Sequence, residues 1–184
     1  MNDFFLLNNE SLPYVFVDQN IEIKQIQVKN LNRFAQFADP IKKLESYSVE
    51  TITPLIEPHM LNIMGLCSLV TTINPESFKE NAGQPTAIAE LLLKIIEVNE
   101  AFFKKEEKET DSKDSSWFEA FAYLINHGHR QDEVMNMSYG AFLKYLMAGH
   151  RVDHQQVKAY AIATRMANNA KQLGWEKYLK QLDG

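Results

Sequence analysis

Residues 84–103, QPTAIAELLLKIIEVNEAFF, constrain this chain more than any other stretch. Pro85 fits the first helical position, where its missing N–H costs nothing, and no Gly or Pro follows before Phe103, so the run predicts one helix. Its apolar residues, among them Ile88, Leu91, Leu92, Leu93, Ile95, Ile96 and Val98, cover more than one face. Such a helix has to be packed on several sides, and this one is too short and too often charged to span a bilayer. It is expected to be the spine of a core. Directly after Phe102 and Phe103 the sequence turns into KKEEKE, residues 104–109, so the spine ends there.

A chain of 184 residues with 45% hydrophobic content can build one domain or two small ones. Its net charge of −5 is unevenly spread, at −4 over residues 1–105, −3 over 106–115 and +2 over 116–184. That asymmetry is too weak for a duplex-binding protein, which clusters Lys and Arg to neutralise several phosphates. The single Cys67 sits in the apolar context GLCSLV, so no internal disulfide can form and a buried, inert thiol is the expectation. The start, MNDFFLLNNE, lacks the positive region and the long apolar run of a signal peptide. No stretch reaches the roughly 18 apolar residues of a membrane span, and a cytoplasmic protein is expected.

The pattern predicts a mainly α protein with a small N-terminal β-hairpin. In residues 13–28 two short strands are expected, joined at Asp18-Gln19-Asn20, because Ile21, Ile23, Ile26 and Val28 alternate with polar residues apart from a slip at Lys24-Gln25 that reads as a bulge. Leu31, Phe34, Ala35 and Ala38 have helical spacing, with Pro40 as an apparent end and a further turn through Ile41 and Leu44 allowed. Residues 51–73 predict one helix starting near Pro54 or Pro58, slightly weakened by Gly65. Asn74-Pro75 signals a short helix to about Glu80.

Residues 106–115 contain no apolar residue and read as a linker between an N-terminal domain, residues 1–105, and a C-terminal helical module, residues 116–184. Ser116 and Glu119 make a capping box for a helix stopping at Gly128. A short helix is expected over residues 129–136, with His129 as a candidate cap, and Ser138 caps another running to about Ala148. Asp153 with Gln156 forms a second capping-box pattern, and Val152 and Val157 a staple, so the last helix is expected to start there and to kink or break at Gly174.

The histidines are the natural place to look for chemistry, since His150 and His154 have the spacing of a zinc-binding helix. The Asp153 cap places His150 before the helix, and no Glu follows His150, so no metal site is expected. His127 and His129 are assigned to the turn at Gly128. Asp132-Glu133 and Glu106-Glu107 are adjacent pairs that diverge on a helix and cannot act as an acid–base couple. With no phosphate loop, nucleophile elbow or Cys-x-x-Cys, the chain reads as a non-enzyme without catalytic, cofactor or metal residues. Met135, Met137, Met147 and Met166 offer an adaptable surface or plain core filler.

Residues 117–148 can also be heard as a helix-turn-helix of a small DNA-binding regulator. A recognition helix carries basic and amide side chains at its start, whereas residues 139–148 offer only Lys144. Trp117, Phe118, Tyr139, Phe142 and Tyr145 are the candidate partner-binding residues, the last three either an exposed aromatic face or a core stripe.

Three places in the sequence resemble the tail assembly chaperones of long-tailed bacteriophages, the small proteins encoded just ahead of the tape measure protein. Residues 23–28, IKQIQV, lead into Leu31-Asn32-Arg33-Phe34 and Asp39-Pro40-Ile41 as that family's opening strand and first helix do. Glu97-Val98-Asn99 followed by Phe102-Phe103 is similar to its Glu-Val-Asn-x-x-Phe-Phe ending. Residues 117–145, with Gly128-His129 and Met137-Ser138-Tyr139, resemble the module added in its longer form. In that family a programmed ribosomal frameshift often adds the second module. The resemblance implies a protein of the bacterial host cytoplasm, not retained in the mature virion. It would coat the apolar, helical tape measure protein, keep it soluble, and bring in tail tube subunits through the second module; self-association is compatible with that role. The N-terminal domain would supply a groove for the tape measure helix.

Overall fold

The structure, a computed structural model, describes residues 2–104, 116–169 and 171–182, and the expected linker at 106–115 lies outside them. The described residues are mainly helical with one small hairpin. They fall into two compact units, Met1–Lys144 and Tyr145–Gly184.

The first unit opens with a short helix, α1 (Asp3–Leu7), and an antiparallel hairpin of β1 (Leu12–Phe16) and β2 (Gln19–Ile23). Tyr14 pairs with Ile21 and Phe16 with Gln19, so the connection is Val17-Asp18 rather than Asp18-Gln19-Asn20. Val17 has a positive φ of 53°, a strained conformation for a β-branched residue. β2 does not continue through a bulge. Beyond Ile23 the chain stays extended but changes partner: Lys24 N donates to Val70 O at 2.7 Å, and Val28 N to Met137 O at 3.0 Å. Ile21, Ile23, Ile26 and Val28 are all buried, with the phase slipping at Gln25, which is buried too, while helix ends replace the second strand.

A 3-10 turn over Val28–Asn30 leads into α2 (Leu31–Lys42), which passes through Pro40. Pro40 lies in the last turn, where only one backbone bond is lost, and buried Ile41 holds the helix onto the core. The single helix expected over residues 51–73 is two, α3 (Val49–Ile56) and α4 (Met60–Val70). Helix α3 begins well before Pro54 because Ser48 and Thr51 exchange capping hydrogen bonds, Ser48 N to Thr51 Oγ1 at 3.0 Å and Thr51 N to Ser48 Oγ at 3.3 Å. Gly65 allows α4 to approach α2 closely, since a Cβ there would lie 2.7 Å from the ring of Phe37.

Helix α5 (Pro75–Glu80) follows its Asn74 cap as expected, Asn74 Oδ1 accepting from Glu76 N at 2.9 Å. The spine is α6 (Pro85–Val98), which buries Ile88, Ala89, Leu91, Leu92, Ile95, Ile96 and Val98 and packs against α3. It is not one helix to Phe103. Asn99, at φ −109° and ψ 31°, interrupts it, and α7 (Glu100–Phe103) follows. The side chain of Asn99 is the cause: its Oδ1 accepts from Ile26 N at 2.7 Å, and its Nδ2 donates to Ile95 O at 3.1 Å and Lys24 O at 3.3 Å. A buried amide satisfied three ways outweighs one more helical turn.

Helix α8 (Trp117–Asn126) has the predicted capping box, with Glu119 N donating to Ser116 Oγ at 3.2 Å and Ser116 N to Glu119 Oε2 at 3.1 Å. Gly128, with φ of 96°, ends it. Helix α9 (Gln131–Asn136) is preceded by Arg130, not His129, as its cap residue, and Arg130 N donates to Glu133 Oε2 at 3.1 Å.

Helix α10 (Tyr139–Asn169) is continuous, in place of one helix to Ala148 and a second from Asp153. A capping box has value only where the chain breaks, and nothing between Ala148 and Asp153 forces a break except Gly149, which costs about 1 kcal/mol in a helix. The second unit holds the remainder of α10 and α11 (Gln172–Leu182), with Gly174 inside α11 rather than before it.

Candidate functional site

Three sequence-distant stretches meet around Ile26. Its N–H is held by Asn99, and its carbonyl accepts from Tyr139 N at 2.8 Å. Gln27 and Ser138 form an isolated bridge, and Ser138 caps α10 by accepting from Ala141 N at 3.2 Å. An aromatic cluster covers this seam. Phe34 meets Phe102 edge to face at 4.9 Å, Phe102 meets Tyr139 at 6.4 Å, and Trp117 stacks on Phe142 at 5.7 Å.

Beside the cluster runs an open groove of about 560 Å³, lined by Val28, Leu31, Asn32, Ala35, Lys42, Phe102, Trp117, Phe121, Met135 and Tyr139. The volume falls in the range of binding clefts. Its lining is chiefly apolar, and among the described residues Lys42, whose Nζ stands 4.4 Å above the Phe102 ring, is its only charged residue. A cation over an aromatic face leaves the ammonium in water at the rim while its stem covers the apolar wall.

Of the candidate partner-binding residues, Trp117 is 51% exposed at the groove edge and Phe118 is 80% exposed beside it. Tyr139 lines the groove. Phe142 is 1% exposed, under Trp117 and Phe121, which is the core-stripe reading of the two left open for it. Tyr139, Phe142 and Tyr145 therefore do not make one exposed face; Tyr145 is exposed but belongs to the second unit. Sequence reasoning missed the groove's α2 wall, because Leu31, Asn32, Ala35 and Lys42 read only as an amphipathic helix. Met135 lines the groove, whereas Met147 is exposed in the second unit.

His150 and His154 lie on the same continuous helix, one turn apart, so the reason for setting aside a pair there no longer holds. Among the described residues, however, no group of three His, Cys, Asp or Glu side chains could hold a metal ion. His127 Nδ1 is 2.8 Å from Tyr123 O and its ring lies against the Tyr123 ring. Asp132 pairs with Arg130 at 3.1 Å at the surface, and Glu106-Glu107 lie outside the described residues. Burial pushes the Cys67 thiol up to about 12, leaving it protonated and unreactive at neutral pH.

The first turn of α10 buries Ser138, Ala141 and Phe142. No helix among the described residues is long and apolar enough to cross a membrane. Compared with described protein families, curated proteins and solved structures, the chain matches none.

Proposed function

We propose that this protein is a non-enzymatic tail assembly chaperone of a long-tailed phage or prophage, acting in the host cytoplasm. It binds the tape measure protein, keeps it soluble and helps recruit tail tube subunits. The observation that carries this reading is where the three resembling stretches fall. Residues 23–34, the Asn99 and Phe102-Phe103 ending, and Met137-Ser138-Tyr139 are far apart in sequence yet tied to one another by the Asn99 and Tyr139 hydrogen bonds, and together they border the groove.

An apolar groove edged by half-exposed Trp117, with exposed Phe118 next to it in the sequence, suits helix-in-groove recognition, in which a few apolar anchors from one face of a helix fill a trough. A tape measure helix exposes such a face along its length and aggregates through it. Aromatic anchors at the groove edge are the residues expected to carry most of the affinity.

The test is co-expression with the protein encoded by the long open reading frame adjacent to this gene. Wild type should move that partner from pellet to supernatant and co-purify with it, and a Trp117→Ala, Phe118→Ala double variant should lose both effects while keeping its helical circular dichroism. A partner that stays in the pellet with wild type overturns the reading.

A further inference from the structure

A second surface lies on α10 beyond the first unit. Arg151, Lys158 and Arg165 follow one another at intervals of seven residues, continuing a spacing that begins at Lys144. On an α-helix that interval returns to nearly the same face, drifting by about 20° per step, so these exposed cations form one line along α10. Beside the line runs a seam at heptad core spacing: Val152, Ala159 and Met166 alternate with Ala148, Gln155 and Ile162. Val152 is 50% and Ile162 44% exposed, so the seam faces water.

The charges flanking this seam are one-sided. One flank is the basic line, and the other carries Gly149, Gln156 and Ala163, with no acidic residue. Within α10 the only acidic residue is Asp153. A second copy of this helix could not supply carboxylates to the cations, whereas helices that pair across such a seam are selected by opposite charges at the flanking positions. Insertion into a membrane surface is the poorer fit. Exposed Val157 sits on the side of the helix away from Val152 and Ile162, so the apolar residues do not gather on a single lipid-facing stripe.

We propose that residues 148–166 of α10 dock an amphipathic α-helix of another protein that carries acidic residues beside its apolar seam. The cations set the choice and register of the partner, and Val152 and Ile162 supply the buried contact. This surface lies in the second unit and stands whether or not the groove binds a tape measure.

The test uses the full chain and two synthetic helical peptides of three heptads, identical in their Leu seam, one with Glu and one with Lys at the flanking positions. Fluorescence anisotropy at low and high salt should show the Glu peptide binding, more weakly as salt rises, and the Lys peptide at least tenfold weaker. The variant R151E/K158E/R165E should lose about tenfold in affinity for the Glu peptide, since three attractive flanking pairs become repulsive. The same variant should gain affinity for the Lys peptide, a reversal that a purely structural role for these exposed residues would not produce. Equal binding of both peptides, or binding of neither, overturns the proposal. So does tighter binding to phosphatidylglycerol vesicles or duplex DNA than to the Glu peptide, or a dimer of the chain that Ile162→Glu dissociates.

Discussion

Helix α6 and the part of α10 beyond Lys144 both carry apolar residues on more than one side, and they end in opposite surroundings. In α6 Ile88, Leu91, Leu92 and Ile95 are fully enclosed by neighbouring elements, among them α3 and the hairpin. In α10 Val152, Val157, Tyr160 and Ile162 face water. The difference lies in what separates the apolar residues. In α6 they are nearly contiguous large aliphatics, which only packing on several sides can satisfy. In α10 they alternate with Ala159, Ala161, Ala163 and cations, a composition that favours the helix by intrinsic propensity and does not require a core. Apolar content alone does not indicate burial; the density of bulky side chains does.

The largest expected effect comes from breaking the enclosed side of this comparison. Leu92→Ala removes a side chain that is fully buried and leaves a cavity, so urea unfolding followed by circular dichroism should show a loss of about 3–5 kcal/mol. A loss below about 1 kcal/mol would mean that α6 is not enclosed as described.

The enclosed region also makes a pH prediction through Cys67 on α4. Its folded-state value of about 12 is above the ordinary value of 9.0, because burial disfavours the thiolate. A raised value means that the stabilisation is complete below the unfolded value and is lost as pH rises from about 9 towards about 12, at about 1.4 kcal/mol per unit. The loss should reach about 3 kcal/mol by about pH 11. Cys67→Ala should be less stable at neutral pH but should fall less steeply over that range. Tyr14 and Tyr47, raised chiefly by burial, add to the alkaline loss in both proteins, so the difference between the two curves isolates the thiol. Parallel curves would contradict a buried Cys67.

Asn99 sharpens the comparison differently, because it is a polar residue that the interior requires. Asn99→Ala leaves the buried Ile26 N–H without its acceptor and should cost about 2–3 kcal/mol in urea unfolding. Amide exchange at Ile26 should speed up more than at Leu66, a core residue away from that bond. Equal protection at both sites would show that Asn99 is not what holds the extended segment in place.

The reach of sequence reasoning follows from how local each cause is. The Ser116–Glu119 box, the Asn74-Pro75 start and the Gly128 stop each act within one turn of chain, and all are found. The pattern at Ile21, Ile23, Ile26 and Val28 correctly marks buried residues, but the partners of this segment, Val70, Asn99 and Met137, are distant in sequence, so nothing local shows that it leaves the hairpin after Ile23. The interruption at Asn99 is invisible locally for the same reason. The Ser48–Thr51 cap escapes because Thr is an uncommon third-position partner, and the Asp153 box misleads because the pattern recurs inside a helix that has no cause to stop. The groove draws on α2, α7, α8, α9 and the start of α10. From the chain alone only its Trp117, Tyr139 and, as part of an adaptable surface, Met135 could be nominated.

The smallest expected effect tests the exposed side. Val157→Ala on α10 removes two methyl groups that already face water, so little transfer energy is lost, and Ala is the better helix former by about 0.5 kcal/mol. Thermal unfolding followed at 222 nm should therefore place the variant within about 0.5 kcal/mol of wild type, with equal or slightly greater helicity. Matched against Leu92→Ala, the pair measures how much of each helix is held by packing and how much by propensity. Should Val157→Ala instead cost more than about 1 kcal/mol, Val157 would have to be covered in solution, and the contrast between the two helices would fail at that point.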